Sequence, residues 1–589
     1  MSNQEIARLL RNVAVSYVIQ NEDKHRFQII AYQRAADAID RLNLEVKDLY
    51  EDNKLDQISG VGPSIQSHLE ELFKTGRVKH FEAVMRQIPE AVFPLLDVPS
   101  FGPKKAYKLV RAFRIQEGNA VEQVFNLARK GKIASLEGFG EKSQTDIIRA
   151  IEEYRRGKTK SNRMVLPYAF ELSRKICEYL KQYEAVKDAQ PLGSLKRMVA
   201  TVGDIDIAVA SNDPKSVIEH FILYPSKERV IEKGEVTSSI LLRGGKQVDL
   251  MVQNPDSFGS LLQHFTGSKH HNVALREYAL KKGLSLSEFG VKRKLPDGGS
   301  ELEKFSSEEK FYEFLGMDWI PPELRENQGE IERAVNHSLP ELVELKDIKG
   351  DLHLHSNYPI EPSHDLGENS MEEMLKVAEN LKYEYIGFSE HNPSITQHSE
   401  KEVLSVLSKR KEFIEQLKKS NKDIRIINLL EVDILASGKL ALNENALELI
   451  DAAIVSIHSS FNMEKSRMTQ RVLQGLSHPK AKILAHPTGR LLNQRAGYEL
   501  NWDNLFGFMK KENKALEINA WPTRLDLPDS LVKEAKELGV KLVINTDSHA
   551  SDQMENMYYG VAVAKRGWAQ KNDILNTLPY NTFIEWLKS

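Results

Sequence analysis

The sequence predicts a multidomain α/β protein with a helical N-terminal part, a central mixed β-sheet and a C-terminal barrel of strand–helix units. Three observations lead to this fold class. Glycine turns recur between helical segments at the start of the chain, aspartate-bearing strands follow, and the C-terminal part alternates short apolar strands with helices. With 589 residues, the chain is too long for one hydrophobic core and should divide into several domains.

The composition is that of an ordinary globular protein, with 41% apolar and 28% charged residues and a formal net charge of -3. A chain without excess positive charge can bind nucleic acid only through local basic patches. Cys177 is the only cysteine, so the sequence contains neither a disulfide framework nor a zinc–thiolate site. No apolar run approaches the length of a membrane span. We therefore expect a cytoplasmic protein that does not associate with membranes.

Three similar glycine turns, at 58–63, 98–105 and 136–142, form an internal repeat in the N-terminal part. Glycine allows the positive φ angles of a tight hairpin, and the N-terminus of the helix that follows attracts a phosphate. One such turn is usually only a connection between helices, but three in register predict helix-hairpin-helix modules that hold a DNA backbone. The residues expected to contact DNA are Gly60, Gly62, Gly102, Lys104, Gly138 and Gly140, and the basic residues Arg155, Arg156, Lys158 and Lys160 close the region.

Three aspartates mark the central sheet. Asp204 and Asp206 are separated by one residue in an apolar run, so a strand would place both carboxylates on one face, and Asp249 lies in a second alternating run. Carboxylates that share a sheet face repel one another unless cations lie between them, and such oxygen ligands suit magnesium. Upstream, Gly193 and Ser194 form a turn of small residues that a phosphate can approach. The pattern predicts a site for two magnesium ions that acts on a phosphorylated substrate.

The Gly-Ser turn, the Asp-x-Asp pair and the third aspartate together resemble the nucleotidyltransferase signature of family X DNA polymerases, the group that includes polymerase beta. The resemblance implies a small DNA-binding domain at 1–80 and a fingers-like helix-hairpin-helix domain at 81–155. It further implies a nucleotidyltransferase palm with a mixed β-sheet at 156–252 and a thumb at 253–318.

The same resemblance implies roles for individual residues. Asp204 and Asp206 would hold both magnesium ions, and Asp249 would bind the ion that activates the primer 3′-hydroxyl. The residues that it assigns to the incoming nucleotide and the nascent base pair are Gly193, Ser194, Arg197, Gly203, His264, Phe265, Gly267, Asn272 and Arg276.

Three positions depart from the family pattern. His264 stands where the family has a tyrosine against the incoming sugar, and Gln247 stands where an arginine usually precedes the third aspartate. His68 occupies the position of a lysine that forms a Schiff base in the deoxyribose-phosphate lyase reaction, and an imidazole cannot replace that amine. We therefore expect no lyase activity of that type. A borohydride-trapped adduct with incised abasic-site DNA would contradict this expectation.

The C-terminal part carries a second set of candidate ligands. Residues 319–346 contain several prolines and many charges, which is typical of a linker or of a strap that docks on a neighbouring domain. From 347 to 589, strand–helix units indicate a parallel sheet closed as a barrel, whose chemistry lies at the C-terminal ends of its strands. The groups at those predicted strand ends are His353, His355, His391, Glu431, His458, His486, Asp547 and His549. Mixed nitrogen and oxygen ligands suit manganese, zinc or iron, and this set is large enough for two or three ions.

This set resembles the metal cluster of the polymerase and histidinol phosphatase (PHP) domain, a distorted (β/α) barrel that hydrolyses phosphoesters. The family usually has a Ser-Asp-Gly motif shortly after its first His-x-His-Ser, but here an inserted loop follows. Strict register puts Leu366 at the ligand position, so Asp365, His364 or Glu361 must substitute. Among these we expect Asp365, with manganese or zinc as the bound metal.

The two halves together predict a bacterial DNA polymerase that fills short gaps in base excision repair and carries a 3′–5′ exonuclease in its PHP domain. Cleavage at abasic sites stays an open alternative for that domain. The expected partners are gapped or primer-template DNA and deoxynucleoside triphosphates, and we expect a monomer. The rival interpretations are a template-independent nucleotidyltransferase, a small-molecule phosphatase fused to an inactive palm, and a non-catalytic DNA-binding scaffold. The hairpins count against the first, the intact aspartates against the second, and the strand-end ligands against the third.

Overall fold

The computed structural model describes residues 1–589 except 2, 42–45, 52, 59, 99–100, 159–162, 244 and 296–298. Within the described residues, the chain divides into two compact units: 1–163 with 226–228 and 241–246, and the remainder of the chain. The residues of the glycine turns and their flank that lie outside the description are Ser59, Pro99, Ser100 and Lys160, together with the side chains of Arg155, Arg156 and Lys158. No helix in the described part of the chain is long and apolar enough to span a membrane.

The first unit is helical because its apolar residues recur with the spacing of one helix face. Its helices are α1 (Asn3–Asn21), α2 (Arg26–Arg41), α3 (Val46–Glu51), α4 (Pro63–Thr75), α5 (Lys79–Met85), α6 (Val92–Leu96), α7 (Pro103–Phe113), α8 (Ala120–Arg129) and α9 (Glu141–Lys158). In α7, for example, Ala106, Leu109 and Val110 are buried and Lys108 is exposed. The buried faces form two core clusters, one between Ile6 and Val84 and one between 88 and 151.

The glycine turns take the backbone conformations that the hairpin prediction requires. Gly60 and Gly138 have positive φ angles of 76° and 81°, which strain any L side chain. Gly62 and Gly102 are the N-caps of α4 and α7, and a proline follows each at the first helical position. Because a glycine cap offers no side-chain acceptor, the first N–H groups of both helices are available to an external anion. Lys104, at the start of α7, forms an exposed ion pair with Glu22 at 2.7 Å.

The palm aspartates lie on a mixed sheet in the second unit. The elements of this part are β1 (Met164–Val165), α10 (Leu166–Lys181), β2 (Asp188–Pro191), α11 (Gly193–Lys196), β3 (Thr201–Val202), β4 (Ile205–Ala210), α12 (Pro214–Phe221), β5 (Lys227–Lys233), β6 (Thr237–Leu242) and β7 (Gln247–Gln253). The main sheet has the order β2-β4-β7-β6-β5. The strands β4 and β7 are parallel neighbours, and their register places Asp206 directly opposite Asp249. Alternation along β4 buries Ile205 and Ile207 and turns Asp206 to the other face.

The segment that the sequence analysis interprets as a linker is folded onto the thumb. The elements here are α13 (Phe258–Thr266), α14 (Lys269–Lys281), β8 (Leu284–Ser287), β9 (Gly290–Lys294), β10 (Ser300–Glu303), α15 (Glu308–Phe314) and α16 (Glu330–Val335). Ile320, Leu324 and Ala334 are buried in one core cluster with Leu275 of α14. We call residues 319–346 the strap.

Residues 347–589 are all described and contain a parallel sheet of seven strands in sequential order. The strands are β11 (Gly350–Leu354), β12 (Tyr385–Phe388), β13 (Arg425–Asp433), β14 (Ala452–Ser456), β15 (Ala481–Leu484), β16 (Ala515–Asn519) and β17 (Lys541–Asn545). The helices are α17 (Met371–Asn380), α18 (Glu400–Ser420), α19 (Glu444–Leu447), α20 (Lys465–Leu476), α21 (Trp502–Lys511), α22 (Asp529–Glu537), α23 (Met557–Arg566) and α24 (Tyr580–Lys588). The N–H of His355 donates to the Ser548 carbonyl (2.8 Å), and the N–H of Ser548 donates to the His353 carbonyl (3.2 Å). The first strand thus meets the chain that follows the last one, and the barrel is nearly closed, as predicted.

Candidate active sites

The three palm aspartates converge on one point of the sheet. Asp204, Asp206 and Asp249 each place a carboxylate oxygen within 4.8 Å of the others. Asp204 is exposed, whereas the other two are half-buried. Burial, and after it the charges of Asp204 and Asp249, raise the pKa of Asp206 to about 6. Such a set of repelling carboxylates fits the predicted pair of magnesium ions, which would remove the repulsion.

The Gly-Ser turn lies against these carboxylates. Gly193 begins α11 with a φ angle of 59°, and a Cβ there would lie 2.9 Å from Oδ2 of Asp206. The N–H of Leu192 donates to the Asp206 carbonyl at 2.8 Å, which ties the turn to β4. Ser194 is half-buried next to this contact, and Gly203 is exposed directly before Asp204. The turn therefore lies where a phosphate could contact it if metal ions bound to the aspartates held that phosphate.

Asp249 is held by two neutral donors. Ser239 donates its hydroxyl to Oδ1, and Nε2 of Gln247 lies 3.0 Å from Oδ1 and 3.1 Å from Oδ2. Gln247 therefore contacts the carboxylate from the position where the family has an arginine. Because neither donor carries a charge, the full negative charge of Asp249 stays available to a cation.

Arg197 follows α11 and is oriented by residues of the thumb and the strap. Its Nε lies 3.0 Å from Oε1 of Glu326, and its Nη1 donates to the Thr266 carbonyl at 2.5 Å. A Cβ at Gly267 would lie 3.2 Å from the same Nη1 atom. The structure therefore brings Arg197 and the Gly267 turn together. Both are predicted contacts of the incoming nucleotide, and this proximity is compatible with that prediction.

The remaining predicted nucleotide contacts lie on α13 and α14. Nδ2 of Asn272 donates to the His264 carbonyl at 2.6 Å, and the rings of His264 and Phe265 are 4.8 Å apart. Burial lowers the pKa of His264, although Glu288 opposes this shift. Arg276 lies one turn after Asn272 on α14 and is exposed.

In the barrel, the predicted strand-end groups share one buried space. Three overlapping groups have ligand atoms within 4.8 Å of one another: His353, His355, Glu431 and Asp547; His355, His391 and His549; and His391, Glu431 and His458. His353 and His355 are completely buried, and Glu431 is 1% exposed. The inner part of the cluster is therefore screened from bulk water, whereas Asp365, whose side chain is 51% exposed, lies on its solvent side.

Glu431 is the centre of this cluster. Its Oε2 lies 2.9 Å from Nδ1 of His391 and 3.2 Å from Nε2 of His353. Its Oε1 lies 3.0 Å from Nε2 of His486 and 3.4 Å from Nε2 of His458. Burial opposes ionisation of this carboxyl, but His391, His353 and His458 hold its pKa well below the usual range. One carboxylate therefore faces four imidazoles.

The inserted loop, residues 358–367, brings Asp365 to the cluster. Oδ1 of Asp365 lies 3.4 Å from Nε2 of His391, and Oδ2 lies 3.5 Å from Nε2 of His549. The loop passes so close to β11 that a Cβ at Gly367 would lie 1.8 Å from the carbonyl oxygen of His355. Only glycine fits there, and the chain on either side is fixed accordingly.

Of the two alternative loop ligands, Glu361 points elsewhere, whereas His364 places a ligand atom within 4.8 Å of those of Asp433 and His458. Oε2 of Glu361 lies 2.9 Å from Nε2 of His398, which is not among the predicted ligands. Nε2 of His364 lies 3.2 Å from Oδ2 of Asp433. Asp365 faces two predicted ligands, His391 and His549, and stays the expected loop ligand, while His364 remains an alternative beside His458.

Two carboxylates that were not among the predicted ligands pair with histidines of the cluster. Glu517 lies in the middle of β16, with Oε1 2.7 Å from Nδ1 of His353, and its Oε2 accepts the backbone N–H of His486 at 2.7 Å. Asp433 lies at the end of β13, with Oδ1 2.7 Å from Nδ1 of His458. Such carboxylates fix the tautomer of a histidine so that its other nitrogen can bind a metal. The position of Asp433 at the end of its strand was the available signal, whereas Glu517, inside its strand, offered none.

The buried atoms of the cluster fit bound metal ions. The ligand atoms without a hydrogen bond to any described residue are Nε2 of His353, both ring nitrogens of His355, Oε2 of Glu431, Nδ1 of His486 and Nε2 of His549. Buried polar atoms are normally paired, and unpaired ones are costly. Most of these atoms converge on the same small space, and their mixed nitrogen and oxygen character suits divalent transition-metal ions. The residues present therefore fit the metal cluster that the sequence predicts.

Comparison with known families gives three matches along the chain. A family model of the helix-hairpin-helix domain matches residues 1–78, one of the DNA polymerase beta thumb matches 261–326, and one of the PHP domain matches 351–520. The matches fall in the N-terminal hairpin region, the thumb and the barrel, respectively.

Similar proteins extend these matches to the whole chain. The DNA polymerase/3'-5' exonuclease PolX of Bacillus subtilis (strain 168) is 34% identical over 100% of both proteins. DNA polymerase lambda of Rattus norvegicus is 20% identical over 55% of this chain and 56% of its own length. A probable phosphatase of Clostridium acetobutylicum is 26% identical over 41% of this chain and 94% of its own length. Together with the two ligand sets, the full-length similarity shows that this chain belongs to the bacterial family X DNA polymerases that carry a C-terminal PHP domain.

Proposed function

We propose that this protein is a DNA-directed DNA polymerase that fills short gaps in base excision repair and removes nucleotides 3′ to 5′ with its PHP domain. The observation that carries the proposal is the presence of two separate ligand sets in one chain. Three carboxylates lie beside a phosphate-accessible turn in the palm, and an imidazole-rich cluster surrounds Glu431 in the barrel. The full-length similarity to a polymerase with exonuclease activity supports assigning synthesis to the first and degradation to the second.

In the palm, the Gly-Ser turn and Arg197 bind the triphosphate of the incoming nucleotide. Two magnesium ions held by the three aspartates would neutralise the phosphates and favour ionisation of the primer 3′-hydroxyl. Asp249, oriented by Ser239 and Gln247, accepts the proton of that hydroxyl. The 3′-oxygen then attacks the α-phosphate in line, a new phosphodiester bond forms, and pyrophosphate leaves.

The thumb and the N-terminal hairpins position the substrates. His264 and Phe265 contact the incoming sugar, and Asn272 and Arg276 face the nascent base pair and template from one side of α14. The glycine-capped helices of the first unit bind the phosphate backbone of the DNA, because their first N–H groups have no side-chain cap.

In the barrel, the nine candidate ligands hold two or three ions, with manganese or zinc as the expected metal. These ions would activate a water molecule and neutralise the scissile phosphate. Glu517 and Asp433 hold His353 and His458 with their second ring nitrogens directed into the cluster. Asp365 closes the cluster from the side of the inserted loop.

The substrates that follow from this assignment are gapped or primer-template DNA and deoxynucleoside triphosphates. We propose that the protein acts as a monomer in the bacterial cytoplasm, where the chromosome is accessible. Each ligand set is built from residues of this one chain, so neither site requires a second copy.

The test is a 5′-labelled primer on gapped DNA, incubated with and without nucleotides, in magnesium and then in manganese. Asp204→Ala combined with Asp206→Ala should abolish extension and leave shortening of the primer intact, because the barrel ligands are untouched. His353→Ala combined with His355→Ala should abolish shortening and leave extension intact. Both products are resolved on one gel.

The outcome that contradicts the assignment is the loss of both activities in either double variant, provided that the variant unfolds at the wild-type temperature. Extension that does not depend on the template sequence would favour a template-independent nucleotidyltransferase instead. The similarity to probable phosphatases justifies one more arm. Hydrolysis of a small phosphomonoester that exceeds primer shortening would identify the barrel as a small-molecule phosphatase.

A further inference from the structure

Arg566, the last residue of α23 in the barrel, reaches the palm. Its side chain is 8% exposed. Nη1 donates to the carbonyl oxygen of Arg197 at 2.8 Å and lies 3.1 Å from Oε1 of Glu326 in the strap. On its other side, Nε and Nη2 lie 2.8 Å and 2.7 Å from Oδ2 of Asp529 in α22. The guanidinium group therefore connects the barrel and the strap to the residue that follows the Gly-Ser helix.

Glu326 is shared between two arginines. The same Oε1 atom lies 3.0 Å from Nε of Arg197 and 3.1 Å from Nη1 of Arg566. Burial lowers the pKa of Arg197, Glu326 raises it, and Arg566 lowers it further. Two partly buried guanidinium groups can lie side by side only with compensating charge, which Glu326 supplies between them and Asp529 supplies to Arg566 alone.

The contacts of Arg197 fix its guanidinium in one orientation. Nε is paired with Glu326, and Nη1 donates to the Thr266 carbonyl. Among the residues that the structure describes, Nη2 of Arg197 has no hydrogen-bond partner. Because two nitrogens of this planar guanidinium group are already paired, the group is pre-organised to offer the third, Nη2, to an anion.

We propose that Arg566 is a positioning residue for nucleotide addition: it holds Glu326 and the backbone of Arg197, and through them presents Nη2 of Arg197 to the triphosphate. This inference rests on the proposed polymerase function of the palm. It makes a residue of the barrel domain part of the polymerase site, independently of any exonuclease chemistry. A purely structural ion pair would affect the free energy of unfolding but not the affinity for nucleotide.

The measurement is the KM for the deoxynucleoside triphosphate in single-nucleotide gap filling by the full-length protein. Arg566→Gln removes the charge and the fork, so we expect KM to rise by about 3- to 10-fold, the size of one ordinary hydrogen bond, because Arg566 acts on the triphosphate only through Arg197. The kcat should change by less than about 2-fold, since Arg566 touches no reacting atom. Arg566→Lys keeps the charge and should restore part of the loss. The double variant Glu326→Gln with Arg566→Gln should be no worse than the worse single variant, because both act through the same contacts.

Lys565→Gln is the matched control. Lys565 is the neighbouring residue of α23, and it pairs with Glu323 and Glu344 of the strap at 3.3 Å and 3.1 Å. Lys565→Gln weakens the contact between α23 and the strap but leaves the contacts of Arg197 intact. The KM for the nucleotide should therefore equal that of the wild type. Thermal unfolding of every variant reports separately on stability.

Two results would overturn the proposal: a wild-type KM in Arg566→Gln, or an equal rise in KM in Lys565→Gln. If Arg566→Gln does not fold, Arg566→Lys and Glu326→Gln are judged by the same KM criterion. Failure of the wild-type protein to extend a primer at all would instead refute the proposed polymerase function, so the two failures are distinguishable.

Discussion

The palm and the barrel solve the problem of binding divalent ions in different ways. The palm offers three carboxylates, of which Asp204 is exposed, whereas the barrel offers six imidazoles and three carboxylates that are mostly buried. A site with few oxygen ligands leaves coordination positions for substrate phosphates and water, so its ions can arrive with the nucleotide. A buried imidazole cage is complete before any substrate binds. The two sets therefore differ in how many ligands the chain itself could supply to an ion.

The largest effect is expected when the negative charge at the centre of the barrel cluster is removed. Glu431→Gln keeps the shape of the side chain but removes the negative charge that faces four imidazoles. We expect primer shortening to fall by at least about 1,000-fold, beyond the 10- to 100-fold typical of an outer-shell partner. Metal content measured after gel filtration should fall as well, and gap filling should be unchanged.

The control for this variant is Glu448→Gln, an exposed carboxylate of the same domain whose side chain is 73% exposed. It should leave both metal content and primer shortening at wild-type values. Full exonuclease activity in Glu431→Gln would show that the cluster around it is not the degrading site.

A smaller effect is expected when the substitution affects a residue that orients a candidate ligand rather than a candidate ligand itself. Glu517→Gln keeps a partner for Nδ1 of His353 but removes its charge. We expect the apparent metal affinity of the barrel to weaken by about 10- to 100-fold. Titration of the metal-stripped protein, followed by metal content rather than by activity alone, measures this change. Damage as severe as that of Glu431→Gln would mean that Glu517 is itself a ligand, and Glu512→Gln on the surface supplies the baseline.

The smallest effect is expected in the palm. Gln247→Ala removes one neutral donor from Asp249, while Ser239 keeps the other. We expect the rate of gap filling to fall by about 3- to 10-fold, the size of one ordinary hydrogen bond, because Ser239 still holds the carboxylate. Primer shortening should not change, and Gln253→Ala at the far end of β7 should behave as the wild type. A loss comparable to that of the palm aspartate variant would mean that Gln247 contributes more than the orientation of Asp249.

The parts of both sites that were predictable from sequence are those governed by regular periodicity. Alternation along a strand places Asp206 opposite Asp249, and parallel strands collect their C-terminal residues at one end of the barrel. Asp365 was chosen by residue type rather than by register. The path that brings it to His391 depends on the close passage of Gly367 over β11, which no spacing rule contains.

Pairing between charged groups could not be read from the sequence. The prolines and charges of residues 319–346 left a linker and a docking strap open, and nothing in the sequence showed that Arg325 is fully buried and pairs with Glu308 of α15. Glu390 stands beside the candidate ligand His391, but its carboxylate pairs with buried Arg410 instead. Whether a charged side chain is solvated, paired or available to a metal depends on residues far away in the sequence. The contact of Arg566 with the palm belongs to the same class.

The closure of the barrel has a consequence for the order in which the two sites can form during translation. Asp351 of β11 accepts hydrogen bonds from Thr546, which lies 195 residues later in the chain. The palm strands, by contrast, are all complete by residue 253. Because a protein emerges from the ribosome N-terminus first, a nascent chain can assemble its palm carboxylates well before it can assemble the cage. A chain interrupted before Asp547 would carry the three palm aspartates, but it would lack Asp547 and His549 of the barrel cluster and Arg566, the proposed positioning residue of the palm.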